Sequence, residues 1–207
     1  MPSWTSSPQD HRLLPERAAA RGPRRFRRLV GPAAAALSLA LPGAADADVA
    51  ARVTQACPGA DARPTAETLG AAEQATLCAV NAERARRDLA PLRMDAKLER
   101  ASRTHGQAMV RSSVFAHEVP GGDPLLQRVR QTDFGSGRFG VGEVLAWGTG
   151  GRSSPAETVE AWMKSSGHRE IILTGRFRYA GPAIVPGVPK KGAGGAGATY
   201  TMDVGWK

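Results

Sequence analysis

Helix-type and strand-type patterns occupy different parts of this 207-residue chain. Residues 66–88 are rich in Ala, Glu, Leu and Arg, and Gly70 interrupts them as the sole glycine or proline. Near the C-terminus, Tyr200, Met202, Val204 and Trp206 alternate with small or polar residues, which is typical of a strand. Helices that precede strands without regular alternation favour an α+β fold over a doubly wound parallel sheet.

Capping patterns predict where several elements begin. Asp95 is the expected N-cap of a second helix, and His105 lies on the apolar stripe of that helix, where we expect it to be a buried, hydrogen-bonded core residue. Asp and Pro at the start of residues 123–131 predict a short helix. The SPAE sequence at 154–157 is a capping box that opens another helix, which should stop before Gly167.

The N-terminal 47 residues have the three parts of a secretory signal. Arginines, including the pair Arg24-Arg25, precede an apolar run at 29–41, and small residues flank Asp46. The run is shorter than the roughly 20 residues that span a bilayer. We therefore expect export by the Sec or twin-arginine route. The expected domains are a signal peptide (1–47), a lead-in segment (48–64) and a folded domain (65–207).

Charge and cysteine content indicate which binding partners and which cellular compartment to expect. The formal net charge of +9 would hold a folded domain near acidic polymers or anionic lipid. No basic stripe interleaved with aromatic residues is visible in the sequence, so we expect no nucleic-acid partner. In an exported chain, Cys57 and Cys78 are expected to form a disulfide that pins the lead-in to the first helix. We expect a monomer outside the cell or in its envelope, not integral to the membrane.

Three short stretches carry side chains suited to chemistry. The first ends in His117 ahead of a glycine turn, and the second places Glu143 between Gly142 and Val144. The third, WMKSSGHREIIL at 162–173, contains Ser165 and His168. Two imidazoles and a carboxylate are a ligand set for Zn²⁺ or a similar divalent ion.

Together with NAERA at 81–85 and LAPL at 89–92, these stretches resemble the CAP superfamily (cysteine-rich secretory, antigen 5, pathogenesis-related), in its bacterial SCP-like extracellular type. Order, spacing and residue types agree over about residues 69–206. The resemblance implies a three-layer α-β-α sandwich with a central antiparallel sheet and an open cleft.

The resemblance also implies that His117, Glu143 and His168 converge in that cleft. Ser165 stands where many members carry a second glutamate. Val144 and Ile171 replace two asparagines of the family pattern, which removes amide groups near the expected cleft.

Three roles for this set remain open at the level of sequence. A metal held by His117, His168 and Glu143 would activate a water molecule. Without metal, Glu143 would fix one histidine as a general acid or base, with Ser165 as a candidate nucleophile. Alternatively, the histidines hydrogen-bond to Glu143 and only fix loops.

We expect an extracellular binding module for a lipid, an envelope polymer or a protein. If the His/Glu cleft is a metal site, it holds a divalent ion. The alternative is a metal-dependent or histidine-dependent hydrolase of peptidase type in the cell envelope. The sequence leaves open whether the protein is an enzyme.

Overall fold

The computed structural model describes residues 57–135, 137–191 and 197–207. The expected signal peptide and the first part of the lead-in lie outside the described residues. The described elements are α1 (Leu69–Ala85), β1 (Arg93–Met94), α2 (Ala96–Ser112), α3 (Leu125–Arg130), β2 (Gly140–Thr149), a short 3-10 helix (Gly150–Ser153), α4 (Pro155–Lys164), α5 (Ser166–Ile172), β3 (Tyr179–Pro186) and β4 (Gly197–Trp206). The α+β class is confirmed.

One four-stranded sheet, in the order β1-β3-β4-β2, organises the fold. β4 pairs antiparallel with both β2 and β3, as expected for a central antiparallel sheet. The two-residue strand β1 is an addition: it pairs parallel with β3 and was not predicted. The register places Glu143 directly opposite Asp203.

Alternation along the strands sends side chains to two different faces of this sheet. On one face, here called the core face, Val144, Met202 and Val204 are fully buried and pack with apolar residues of α1, α4 and α5. On the other, the polar face, Glu143, Thr201 and Asp203 are buried beneath α2. Helices on both faces give the three layers expected for the fold.

A glycine lets α2 lie close against the polar face. A Cβ added to Gly181 would lie 2.0 Å from the backbone nitrogen of Glu99 on α2, a distance that no side chain tolerates. A hydrogen bond then joins α2 to β4, because the Asp203 backbone N–H donates to Ser102 Oγ at 2.9 Å. On the same helix, His105 is only 2% exposed. His105 is therefore the buried core histidine that the apolar stripe predicts.

Two of the four predicted caps are confirmed. Thr65, which follows Pro64 and was expected to cap the first helix, does not, because Thr68 occupies the cap position of α1. The cap predicted at Asp123 is also wrong. The Asp95 side chain accepts two backbone N–H groups of α2, and Ser154 Oγ accepts the Glu157 N–H at 3.3 Å. Asp123 caps no helix, because Pro124 occupies the cap position of α3. The Asp123 carboxylate instead accepts the side-chain amides of two glutamines on and after α3.

The described part of the lead-in is held between α1 and α4. A disulfide joins Cys57 to Cys78 of α1, as predicted. The Ala156 N–H of α4 donates to Ala60 O at 2.8 Å. Within the described ranges, no helix combines the length and the apolar character needed to cross a membrane.

Candidate functional site

Glu143 lies at the middle of β2 on the polar face, and its side chain is 1% exposed. Each of its carboxylate oxygens has a protein partner. His117 donates its Nδ1–H to Oε1 at 2.8 Å, and the guanidinium of Arg128 donates to Oε2. The structure thus brings together two of the predicted site residues, His117 and Glu143, around a buried arginine.

Arg128 ties the loop that carries His117 to the sheet. It extends from α3, is 4% exposed, and donates Nη1–H to His117 O at 3.2 Å and to Asp123 O at 2.9 Å. From the other side, His105 Nε2–H donates to Ala116 O at 2.9 Å. The loop between α2 and α3 is therefore fixed to Glu143, to α3 and to α2.

Burial and neighbouring charges both shift the pKa values of the ionisable groups in this cluster. Burial opposes ionisation of Glu143, but the hydrogen bond from His117 and the charge of Arg128 outweigh it and lower the pKa of Glu143 to about 2. Burial, partly offset by the charge of Glu143, lowers the pKa of His105, which leaves the imidazole neutral at pH 7. Glu143 is therefore a carboxylate and His105 a neutral hydrogen-bond donor.

Asp203, opposite Glu143 on β4, adds a second buried carboxyl group. It is 0% exposed, and neither of its oxygens has a hydrogen-bond partner. Burial and the neighbouring charge of Glu143 raise the pKa of Asp203 well above its usual value. Both effects favour the protonated form of Asp203. We call Glu143, His117, Arg128, His105 and Asp203 the Glu143 cluster.

The remaining predicted site residues belong to the two α-helices that follow β2: Ser165 lies at their junction and His168 in α5. His168 is half-buried in α5, three residues before Ile171, whose side chain packs toward the core face at Gly142. Ser165 joins α4 to α5, and its backbone N–H closes the last turn of α4. Val144 and Ile171 belong to the apolar core, so the asparagine replacements add packing on the face opposite to Glu143.

A divalent ion does not fit at Glu143 in this arrangement. Both oxygens already have hydrogen-bond donors, and one donor, Arg128, is a permanent cation that would repel a metal at hydrogen-bond range. In the described ranges, no group of three or more His, Cys, Asp or Glu side chains is placed to hold a metal ion. A zinc site formed by His117, His168 and Glu143 stays a prediction from the sequence.

A groove of about 780 Å³ lies elsewhere, where α1, α4, the lead-in and the 3-10 helix meet. Its floor includes three residues of one face of α4, namely Ala156, Val159 and Met163. Its rim carries both charges: Glu83 pairs with Arg87 at 2.8 Å, and Glu160 pairs with Lys164. The groove is not lined by His117, Glu143 or His168.

The structure is a three-layer α-β-α sandwich with a buried His–Glu–Arg cluster on one face of its sheet. Comparison with known proteins then gives the family. The family model described as "CAP: Cysteine-rich secretory protein family" matches residues 77–193. This match covers more than half of the chain, and the chain belongs to the CAP family.

Three relatives illustrate the similarity. The protein YkwD of Bacillus subtilis (strain 168) is 34% identical over 119 residues, which are 57% of this chain and 44% of YkwD. An extracellular SCP-domain protein of Bacillus anthracis str. Ames has a similar structure, with a TM-score of 0.56 at 22% identity over 70% of this chain and 44% of that one. An outer surface protein of Borrelia burgdorferi gives a TM-score of 0.51 at 19% identity, over 62% of this chain and 86% of that one. This chain therefore spans less than half the length of YkwD.

Sequence reasoning missed two members of the Glu143 cluster. Arg128 stands directly before the apolar Val129 in the mixed sequence LLQRVR of α3, which is only a weak signal of burial. Asp203 sits among the alternating apolar residues of β4, where a carboxylate stands out. Neither signal identifies the partner, because both pairings join segments that are distant in sequence.

Proposed function

We propose that this protein is an exported binding module whose ligand occupies the groove between α1 and α4, while the Glu143 cluster holds the fold. The observation that carries the proposal is the groove itself. Its volume of about 780 Å³ lies within the range of roughly 300–1,000 Å³ typical of small-molecule sites. Its apolar floor beneath a charged rim suits an amphiphile with an apolar body and a polar head.

Export is part of the proposal and has three independent supports. The N-terminal sequence has the charge, apolar run and small-residue site of a secretory signal. The disulfide between Cys57 and Cys78 is the kind of bond that persists in an oxidising compartment. The two structural relatives are described as an extracellular protein and an outer surface protein.

The Glu143 cluster supports a holding role over a reactive one. A general base must reach the proton that it abstracts, whereas Glu143 is 1% exposed and bonded through both oxygens. Its low pKa further weakens it as a base at neutral pH. No observation on the described residues favours the hydrolase alternative, so we propose no second function.

The test uses dansyl-undecanoic acid, a fluorescent amphiphile, titrated into the full chain. Met163→Lys places a charge on the half-buried groove floor and should weaken binding at least about tenfold. Met94→Lys is the matched control: Met94 is also half-buried against the core, but it lies on β1 outside the groove. His117→Ala should leave the affinity within about twofold of the wild type.

Two results would contradict the proposal. One is the absence of probe binding by the wild type. The other is a loss of affinity in His117→Ala that equals or exceeds the loss in Met163→Lys, because it would move the ligand site to the Glu143 cluster. Melting temperatures of all four proteins show whether each variant is folded.

A further inference from the structure

Cations from distant segments meet at one end of the sheet. The strand register places Arg93 beside Tyr179 and Tyr179 beside Gly205, and Lys207 follows at the end of β4. Segments before β3 and at the start of α2 add further cations. We call this surface the basic end, and it consists of Arg93, Lys97, Arg100, Arg176, Arg178 and Lys207.

Three of these cations lie over aromatic rings. The guanidinium of Arg176 is 3.6 Å from the ring centre of Trp206. Arg93 and Lys207 lie 5.2 Å and 4.8 Å from the ring centre of Tyr179. Because they share one ring, their charges are within about 10 Å of each other. That is about the Debye length at 0.1 M salt, so their fields add at a common ligand.

Most contacts of the basic end leave its positive charge in place. Lys97 Nζ donates to Asp133 O at 2.6 Å, and Arg100 donates to Thr132 O at 3.3 Å, so both bind backbone carbonyls. A carboxylate does contact this surface: Asp95 accepts from Lys207 Nζ at 3.0 Å, but it also caps α2. The Asp95 carboxylate offsets part of the positive charge of this surface.

From this arrangement we propose that the basic end is a binding surface for a linear phosphate polymer that carries no nucleobases. Closely spaced cations at one edge match a chain of regularly spaced anions. Guanidinium groups bind phosphate oxygens in a bidentate way, and four of the six cations are arginines. Three of them are exposed where β1 and β3 begin: Arg93 on β1, and Arg176 and Arg178 in the segment before β3.

The covered rings favour this polymer over a nucleic acid or a bilayer. Binding of single-stranded nucleic acid relies on aromatic faces that are open to stacking bases. Here Arg176 covers one face of the Trp206 ring, the indole nitrogen lies against Gly140, and the side chain packs against the core. Phe134 is 1% exposed beneath Lys207, so this ring offers a bilayer no apolar wedge.

Fluorescence anisotropy with labelled poly(glycerol phosphate) at 50 mM salt tests the proposal on the full chain. The variant Arg93→Gln/Arg176→Gln/Arg178→Gln should weaken binding at least about tenfold and reduce the salt dependence of the affinity. The matched control, Arg63→Gln/Arg111→Gln/Lys190→Gln, removes the same charge at exposed sites outside the basic end and the groove and should stay within about twofold. Both variants keep the N-terminal arginines, so their difference isolates the basic end.

A charge-retaining variant separates charge from folding. Arg93→Lys/Arg176→Lys/Arg178→Lys should keep most of the affinity. The proposal is overturned if this variant binds as weakly as the glutamine variant, or if the control variant loses as much affinity as the glutamine variant.

Two further arms test the choice of partner. Phosphatidylglycerol vesicles and single-stranded DNA should each bind at least about tenfold more weakly than poly(glycerol phosphate), at equal phosphate concentration. Tighter binding to the vesicles would make the partner a membrane, and tighter binding to DNA would make it a nucleic acid. Either result overturns the proposed partner.

Discussion

Glu143 and Asp203 face each other across β2 and β4, and both side chains are buried on the polar face of the sheet. Glu143 is paired with Arg128 and has a lowered pKa, whereas burial and the charge of Glu143 raise the pKa of Asp203. The pair therefore makes the stability of the fold depend on pH.

Asp203→Asn should stabilise the protein at neutral pH. The pKa of Asp203 is raised in the folded state, whereas an unfolded aspartate ionises near pH 4. Unfolding then releases a proton, so the contribution of Asp203 is fully present below about pH 4 and is lost as the pH rises through the raised pKa. Urea unfolding should show a gain of at least about 1 kcal/mol at pH 7 and little change at pH 4.

A matched control for this prediction is Asp88→Asn. Asp88 is exposed and has a positive φ that asparagine also adopts. The free energy of unfolding of the Asp88→Asn protein should therefore differ little from the wild-type value at either pH. A loss of stability at pH 7 in Asp203→Asn would show that Asp203 is needed as a carboxylate.

Removal of one partner of the Glu143–Arg128 pair should be strongly destabilising. Arg128→Met leaves a buried carboxylate without its cation, and breaking such a pair costs about 3–5 kcal/mol. Arg130→Met, an exposed site on the same helix, should cost less than about 1 kcal/mol. The double variant Arg128→Met/Glu143→Met should recover part of the loss in urea unfolding. If it were less stable than Arg128→Met alone, the pair would not be the source of the cost.

Removal of the Arg84 side chain should strongly lower the free energy of unfolding. It is 0% exposed and donates to four carbonyls, at Ala90, Ile172, Thr174 and Phe177. Arg84→Met leaves these acceptors in the interior and should cost at least about 3 kcal/mol in urea unfolding. Arg86→Met, at the exposed ion pair with Glu83, should cost at most about 1 kcal/mol. Equal losses would contradict the holding role of Arg84.

The disulfide should stabilise both the fold and the groove. Cys57 and Cys78 are 21 residues apart, and closing a loop of that length is worth about 3 kcal/mol in the chain-entropy model. Cys57→Ala/Cys78→Ala should also weaken binding of the dansyl probe, because Asp61 of the lead-in forms part of the groove wall. Thermal unfolding and probe titration measure the two effects. Unchanged probe affinity would show that the lead-in wall contributes nothing to the site.

The fold was largely predictable because its signals are local. Asp95 and Ser154 cap helices as their sequence patterns indicate, and the alternation of β4 is continuous to Trp206. The short elements β1 and α5 were not predicted, because segments of two and seven residues show too little hydrophobic periodicity.

The candidate site was predictable only in part. Motif order led to Glu143 and His117, which do meet. The partners Arg128 and Asp203 depend on strand register and on the position of α3, and neither is encoded by local spacing. For the same reason, the basic end could not be predicted from the sequence, because its cations come from four segments that the sheet brings to one end.

Calorimetric titration with Zn²⁺ most directly tests whether the Glu143 cluster holds the fold or binds a metal. It should be run on the wild type and on His117→Ala/His168→Ala. Because Arg128 and His117 occupy both oxygens of Glu143, the wild type should show no micromolar binding that differs from the variant. Micromolar binding that disappears in the variant would contradict this account and make the cluster a metal site.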